Sequence, residues 1–588
     1  MNLVNKTRKG LIIFFFASLL GVSCSSEEGD AGAGSKLTKA EGGRTYGGKL
    51  RINETEYFKT LFPPSITDGI STRICTQVYE GLLKFDQADL SIKNSLADGF
   101  SVSPDGLVYT FRLKKGVFFH DDACFNGGKG REFEANDVKY CFTQLCKQSA
   151  NNQNAALLKD VLKGASEYYK ASENGVTPKF EISGIKVLDK HTIVFELTAP
   201  NSLFTTFVAM PPTYIYPKEA FEKYGLEMRS KTVGTGPFLI SSIDDDIEVI
   251  LKKNPNYYGK DKFGNKLPLL DAVDIKFLHE KKTELFEFKK GNLDMIYRLP
   301  TESILDILEG TSPDKEGEYS EYQLQRKPEM ATQFLTFNYQ SSEFKNKNVR
   351  KAISFAIDRD KILNYILKGE GIQPGFFGVT PPAFQDYRIE GVKGYRLNKD
   401  SARYYLAKAG FANGKGFPKI KMQLNTDGDR NTEVALEIQK ELKENLNINV
   451  ELDHIPFAQL VENMISGKSP FYRSGWIADY PSPENFLKLF YGKTVPKDPN
   501  AKSYPNFARY VNPKFDQYFE AGVAAKDKME AYDNFMKAER ILMDDAPIIV
   551  LWYDEGYRLL QSNLKNFPNN AMQVRDYSEV FFEAPREK

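Results

Sequence analysis

An amphipathic helix is predicted between two strands in residues 419–457. In its segment "TEVALEIQKELKENL", apolar residues recur at four-residue spacing with charged residues between them: Val434, Ile438, Leu442 and Leu446. This spacing places the apolar side chains on one face of a helix. The flanking segments "KIKMQLNTD" and "INVELDHIPF" are strand-like. A strand, a helix and a second strand in this order form a β-α-β unit with parallel strands. We therefore predict an α/β fold.

A second region of the same type runs from "DAVDIKFL" through the helical "KKTELFEFKKG" to "LDMIYRL". Between residues 80 and 200, "LVYTFRL", "FEISGIKVLD" and "HTIVFELTAP" alternate apolar and polar residues around turns, which is typical of antiparallel hairpins. A chain of 588 residues exceeds what one hydrophobic core usually organises. Two α/β regions and a hairpin-rich segment predict lobes that close over a cleft.

The N-terminus predicts export. Lys6, Arg8 and Lys9 precede the apolar run "LIIFFFASLL", which is too short for a permanent membrane span and is typical of a cleaved signal peptide over residues 1–23. Cys24 and the polar stretch behind it resemble a bacterial lipoprotein signal. That resemblance implies acylation of Cys24, a membrane anchor through the lipid, and a tether over residues 24–46. We expect the protein in the cell envelope, either periplasmic or anchored to a membrane.

Charge and hydropathy restrict the partners. The formal net charge of the chain is only +1, so there is no electrostatic argument for binding nucleic acid. After residue 23 no apolar run is long enough to span a membrane, and we expect a soluble, monomeric body.

The cysteines after Cys24 are Cys75, Cys124, Cys141 and Cys146. An even number in an oxidising compartment permits two disulfides with three possible pairings. We favour Cys124 with Cys146, because that bridge would hold the Gly-rich loop "CFNGGKGREF" against the following helix. Buried free thiols are the alternative for each of them.

Motifs of enzyme chemistry are missing from the sequence. There is no G-x-S-x-G elbow, "HEKKT" lacks the second histidine of a zincin, and "GGKGR" lacks the Walker A spacing. His120, Asp121, Asp122 and Cys124 lie too close together on one segment to converge on a metal ion. We therefore expect a binding protein that is not an enzyme and has no metal site and no cofactor.

Six segments, in this order, are similar to the extracellular solute-binding proteins of family 5, the large substrate-binding proteins of oligopeptide, dipeptide and nickel ABC importers. The segments are "VYEGLLKFD", "SVSPDGLVYTFRLKKGVFF", "FEANDVKYCF", "VGTGPF" with "LKKNPNYYG", "FNYQSSEFKNKNVRKAISFAIDRDKI" and "GWIADYPSPENF". The similarity runs from about residue 47 to the C-terminus. We predict that "VGTGPF" is a structural turn, since its glycines give backbone freedom.

The resemblance implies a three-lobed periplasmic binding protein-like fold (type II, cluster C-like) with a ligand cleft between the lobes. Domain I would combine residues 47–78, 230–325 and 548–588. Domain II would comprise residues 79–229, and domain III residues 326–547.

The resemblance also implies a function and a site. In peptide-binding members, the strand that matches Gly475 to Ile477 pairs with the ligand backbone, and the carboxylate that matches Asp479 binds the ligand's α-ammonium. We expect Asp479 on the same strand face as Ile477, with Trp476 and Tyr480 shielding it from water. The protein would capture di- and oligopeptides and deliver them to an ABC permease with a separate ATPase. A non-peptide solute (nickel chelate, sugar or opine) is the alternative ligand, and an exported hydrolase the alternative class.

Overall fold

The computed structural model describes residues 37–300, 302–311, 317–384, 386–425 and 429–583. The predicted signal peptide and Cys24 lie outside these ranges. No helix within them combines the length and the apolarity needed to cross a membrane.

The described strands and helices alternate along the chain. The strands are β1 (Thr38–Lys39), β2 (Thr45–Tyr46), β3 (Lys49–Asn53), β4 (Leu83–Phe85), β5 (Ile92–Asn94), β6 (Ala97–Val102), β7 (Val108–Leu113), β8 (Ile185–Asp189), β9 (Thr192–Glu196), β10 (Phe238–Asp244), β11 (Glu248–Lys253), β12 (Ala272–Lys276), β13 (Met295–Tyr297), β14 (Gln323–Phe337), β15 (Gln373–Pro374), β16 (Ile420–Asn425), β17 (Val450–Ile455), β18 (Phe471–Ile477), β19 (Ile548–Leu560), β20 (Leu564–Lys565) and β21 (Phe581–Phe582). The α-helices are α1 (Gly69–Val78), α2 (Ala135–Leu145), α3 (Ala165–Ala171), α4 (Phe204–Val208), α5 (Lys218–Tyr224), α6 (Lys281–Lys289), α7 (Ile304–Gly310), α8 (Lys347–Phe355), α9 (Arg359–Lys361), α10 (Lys399–Lys408), α11 (Asp429–Leu446), α12 (Phe457–Ile465), α13 (Glu484–Leu487), α14 (Pro513–Val523) and α15 (Lys528–Asp545).

One large mixed sheet runs through the molecule. Its strand order is β10-β11-β12-β3-β13-β19-β14-β18-β16-β17, and β15 also pairs with β19. Both predicted β-α-β regions are confirmed. Helix α11 connects β16 to the parallel strand β17, and α6 connects β12 to β13, which lie on either side of β3 and parallel to it. The α11 face that packs into the core carries the apolar residues found by their spacing, among them Val434, Ile438 and Leu442.

The predicted hairpins form a separate antiparallel sheet of order β6-β7-β9-β8. Strands β8 and β9 make the hairpin expected from "FEISGIKVLD" and "HTIVFELTAP", and β7 pairs with β9. Inward residues such as Phe111 and Phe195 are buried, while their neighbours along each strand are more exposed. This alternation is what a sheet with one solvated face requires.

Residues 37–46, assigned to the tether by the sequence, are folded. Strands β1 and β2 pair antiparallel. Arg44 is buried and forms ion pairs with Asp261 (3.0 Å) and Glu579 (2.7 Å). The ordered body therefore begins before residue 47.

The proposed Cys124–Cys146 bridge is wrong. All four described cysteines are free thiols. Cys146 caps the C-terminal end of α2 and is fully buried in the core, whereas Cys124 is half-buried in a loop where Asp122 accepts its backbone N–H at 2.7 Å. Burial of Cys146 raises the pKa of its thiol, which keeps it in the unreactive protonated form.

The turn "VGTGPF" is structural for a different reason than predicted. Neither Gly234 nor Gly236 has a positive φ. Both are needed because the chain approaches the end of α1 closely: a Cβ on Gly234 would lie 2.1 Å from the carbonyl oxygen of Val78. Between the glycines, Thr235 Oγ1 donates to the buried Glu80 at 2.9 Å.

Gly234→Ala should therefore destabilise the protein, because two backbone segments would have to separate. We expect a loss of about 1–3 kcal/mol in the free energy of unfolding, measured by chemical denaturation. Gly317→Ala is the matched control, since its Cβ would meet its nearest neighbour at 3.7 Å. Equal stability of the two variants would contradict the close-approach explanation.

Candidate functional site

Strand β18 has one paired edge and one open edge. Seven residue pairs, from Ala331–Ile477 to Phe337–Phe471, join it to β14. On the other edge, among the residues that the structure describes, it pairs with β16 only at Tyr472, opposite Gln423. Residues 473–477 thus present a free strand edge, which we name the open edge of β18.

The register shows which backbone groups face this edge. Ala478 N–H donates to the carbonyl oxygen of Met330 at 2.9 Å, so the backbone N–H and C=O groups of residue 478 point towards β14. Because N–H and C=O groups of successive residues in a strand point to opposite sides, Gly475 and Ile477 direct theirs away from β14. The open edge therefore offers two donors and two acceptors in the spacing that another strand would match.

Side chains keep the open edge accessible. Gly475 is exposed, and a Cβ there would lie 2.5 Å from Gln333 Oε1, so no larger residue fits without moving Gln333. Ile477 is 56% exposed and forms an apolar border. Trp476 points to the other face, where it packs against a buried cluster that includes Phe334 and Phe490.

Asp479 lies beyond the end of β18, which corrects the prediction that it shares a strand face with Ile477. The strand ends at Ile477, and the chain bends at Asp479 before Pro481 and Pro483. Its carboxylate is half-exposed, with 50% of the side chain accessible, so it is not shielded as we expected. A half-exposed carboxylate at the end of an open strand can accept a cation from solution.

Asn485, on α13, is the residue that positions Asp479, and the sequence analysis missed it. It is fully buried. Its Oδ1 accepts from Trp476 Nε1 (2.7 Å) and from Asp479 N–H (3.1 Å), while its Nδ2 donates to Asp479 Oδ2 (3.2 Å). Trp476 is therefore linked to Asp479 through this amide.

Lys488 is the cation nearest to Asp479. Its Nζ lies 3.4 Å from Asp479 Oδ2 and 4.8 Å from the centre of the Tyr480 ring. Tyr480 itself is buried, donates its hydroxyl hydrogen to Glu484, and meets Phe207 edge to face at 5.4 Å. Burial raises the pKa of Glu484. The buried contacts of Tyr480 thus hold the bend that follows β18. Lys488 occupies one side of the Asp479 carboxylate.

The other end of the open edge carries Arg473. Its Nη2 donates to Gln333 Oε1 at 2.5 Å, and Gln333 Nε2 donates to Asp554 Oδ2 at 2.6 Å. Asp554 also pairs with Arg430 at 3.1 Å. Among the described residues Arg473 contacts no carboxylate directly, and burial lowers its pKa to about 10. The sequence signal for it was a lone charge in the apolar strand "FYRSGWI".

The histidine and acidic residues near position 120 do not share a centre. His120 Nε2 lies 3.0 Å from the carbonyl oxygen of Gly236, and burial lowers its pKa to about 4. Asp121 pairs with Lys129, and Asp122 accepts from Tyr224. Each of these three side chains therefore bonds to a different protein group.

The model of the bacterial extracellular solute-binding proteins, family 5 (middle region), matches residues 91–498 of this sequence. The chain belongs to this family. Among its curated relatives, the oligopeptide-binding protein OppA of Bacillus subtilis strain 168 is 27% identical over 553 residues, which cover 91% of this chain and 93% of that protein. The dipeptide-binding protein DppE of the same organism is 24% identical over 581 residues, covering 96% and 97%.

Solved structures agree on the fold of this family 5 protein. The periplasmic binding protein DppA of Helicobacter pylori, in complex with the peptide STSA, has a TM-score of 0.74 at 24% identity and covers 92% of this chain and 99% of its own. The oligopeptide-binding protein OppAIV of Borrelia burgdorferi has a TM-score of 0.71 at 25% identity, covering 91% and 99%. The predicted family and α/β periplasmic binding protein fold are confirmed. As a member of an extracellular family, the protein is exported.

Proposed function

We propose that this family 5 protein is the substrate-binding receptor of an ABC importer. It captures peptides in a cleft between its three lobes and delivers them to a membrane permease driven by a separate ATPase. The open edge of β18, with Asp479 two residues beyond its end, is the observation that carries this proposal. The lobe boundaries given above from the sequence are part of it, with residues 37–46 added to domain I, whose Asp261 and Glu579 pair with Arg44.

Backbone pairing explains how such a receptor accepts many peptides. A peptide that adds to a sheet edge as an extra strand is held by main-chain hydrogen bonds, which do not depend on its sequence. Gly475 and Ile477 are two residues apart and face the same edge, so one extended ligand can bond to both.

The charges at the two ends of the open edge match those of a zwitterionic peptide. Asp479 would accept the α-ammonium group, and Arg473 would attract the C-terminal carboxylate. The strand from Arg473 to Ile477 spans about 13 Å, and Asp479 follows at the bend. A ligand running antiparallel to β18 would thus meet a carboxylate first and a guanidinium last, and short peptides fit this span.

The relatives support a transport role. The Bacillus subtilis proteins are oligopeptide- and dipeptide-binding proteins by name, and the Helicobacter pylori structure contains a bound peptide. We infer that this chain binds and releases its ligand without chemical change, and that it acts as a monomer held to the membrane through acylated Cys24.

Asp479→Asn should weaken the binding of peptides with a free N-terminus by about tenfold to a hundredfold, because it removes the charge that faces the ammonium. Isothermal titration of a mixed short-peptide library, followed by single peptides identified from it, measures the change. N-acetylated forms of the same peptides should bind both proteins equally.

Asp533→Asn is the matched control for this substitution, since Asp533 is exposed on α15 and, within the described part of the chain, pairs with Lys537 alone. Unchanged affinity in Asp479→Asn, with Asp533→Asn also unchanged, would contradict the assignment of the ammonium site.

Lys488→Met should strengthen the binding of the same peptides by about threefold to tenfold, because the Lys488 ammonium group shares the Asp479 carboxylate. The gain should shrink at high ionic strength, where exposed charges are screened. Titrations at low and high salt test this. Weaker binding in Lys488→Met would show instead that Lys488 holds Asp479 in place.

A further inference from the structure

A second charged site lies at a distance in sequence from β18. It contains three arginines, one carboxylate and one tyrosine, which we name the cationic cluster: Arg73 on α1, Arg558 on β19, Arg575 and Tyr577 in the C-terminal segment, and Glu54 directly after β3. Arg558 and Arg575 are 0% and 1% exposed. Buried charges need partners of opposite sign, so the balance of charge in this cluster matters for stability.

Glu54 is shared between two of the arginines. Arg73 Nε donates to Glu54 Oε1 at 2.7 Å and its Nη2 donates to Oε2, while Arg575 Nη1 donates to Oε1 at 2.9 Å. Burial acts to raise the pKa of Glu54, yet the charges of Arg73 and Arg575 lower it overall. The carboxylate is therefore ionised, and it compensates one of these two charges.

Within the described ranges, Arg558 donates to neutral acceptors alone. Its Nε donates to Gln573 Oε1 and its Nη1 to the carbonyl oxygen of Pro568, both at 3.0 Å. Burial, with the adjacent charge of Arg575, lowers the pKa of Arg558 to about 9. Among the described residues no carboxylate lies within ion-pair distance of this guanidinium.

Glu329, which shares Gln573 with Arg558, is already used. It accepts from Tyr297, from Arg298 Nη2 at 3.3 Å and from Gln573 Nε2 at 3.4 Å. Each of the two buried guanidinium groups also faces an aromatic ring. Arg558 Cζ lies 4.8 Å from the centre of the Phe567 ring, and Arg575 Cζ lies 5.4 Å from the centre of the Tyr297 ring. The described protein groups around the cluster thus leave a positive charge in excess.

Four donor atoms of the cluster make no hydrogen bond of good geometry within the described residues, although the Arg575 guanidinium interacts with the Tyr577 hydroxyl oxygen. They are Arg558 Nη2, Arg575 Nε, Arg575 Nη2 and Tyr577 Oη. They belong to neighbouring groups. Arg558 Cζ lies 4.8 Å and the Tyr577 ring 5.7 Å from the centre of the Phe567 ring, and Arg575 lies over Tyr297, which pairs with Arg558 between β13 and β19. Guanidinium groups cannot accept hydrogen bonds, so only an acceptor can satisfy them, and a charged acceptor does so most strongly.

We propose that the cationic cluster binds one halide ion, chloride in natural surroundings, between Arg558, Arg575 and Tyr577. A halide accepts several hydrogen bonds from any direction, carries the missing negative charge and is a small ion that suits two guanidinium groups only 0% and 1% exposed. Since β19 and the C-terminal segment both contribute to it, the ion stabilises the folded state. This site does not depend on the proposed peptide site.

Two measurements on the whole mature protein test the proposal. Crystals soaked in sodium bromide should show an anomalous peak within hydrogen-bond distance of Arg558 Nη2 and Arg575. In solution, the melting temperature should rise saturably by roughly 2 °C or more when sodium gluconate is replaced by chloride or bromide at constant ionic strength.

The variants separate a specific site from a general salt effect. Arg558→Met should abolish the halide dependence, and Arg112→Met, which removes an exposed arginine on β7, should preserve it. If Arg558→Met does not fold, Tyr577→Phe keeps both guanidinium charges and should weaken bromide binding about fivefold by removing one donor. Equal melting temperatures in gluconate and in halide, or crystals without the anomalous peak, would overturn the proposal.

Discussion

The antiparallel ladder between β14 and β19 is the interaction on which the rest of this structure depends. The two strands pair from Gln323–Leu560 to Thr336–Ile548 and connect the β3 half of the large sheet to the β16 half. Apart from Glu555, every residue of β19 is buried, as expected for a central strand covered on both faces. Strand β18 pairs with β14, so the position of the open edge follows from this ladder.

An interruption in the ladder creates the polar surroundings of the site. The register shifts between Pro328 and Thr332, because proline has no N–H to donate. Glu329 and Asp554 lie in the interrupted stretch. Their carboxylates accept hydrogen bonds from neighbouring side chains, among them Tyr297 and Gln333. Through Gln333, Asp554 also holds Arg473 beside Gly475. In the same stretch, Glu329 accepts a hydrogen bond from Gln573, and Gln573 accepts one from Arg558 of the cationic cluster.

Local patterns predicted local structure well. Apolar spacing was sufficient for α11 and its parallel strands, and alternation for the β8–β9 hairpin. Pairing between distant segments could not be read in this way: β14 and β19 are more than 200 residues apart, and neither periodicity nor turn residues encode their register. For the same reason Asn485 and Gln333 were missed, since their importance depends on what the fold brings next to Trp476 and Gly475. The Cys124–Cys146 bridge failed because closeness in sequence says nothing about which side of α2 each thiol faces.

Hydrogen exchange at the open edge of β18 tests the central claim most directly. Amide exchange of residues 474–478 would be followed by mass spectrometry, with and without a saturating short peptide. If the ligand adds as a strand, the Gly475 and Ile477 amides should exchange markedly more slowly when the peptide is present, while the paired segment of β14 changes little. Binding of the peptide without added protection in residues 474–478 would show that the ligand is held elsewhere and would contradict this account.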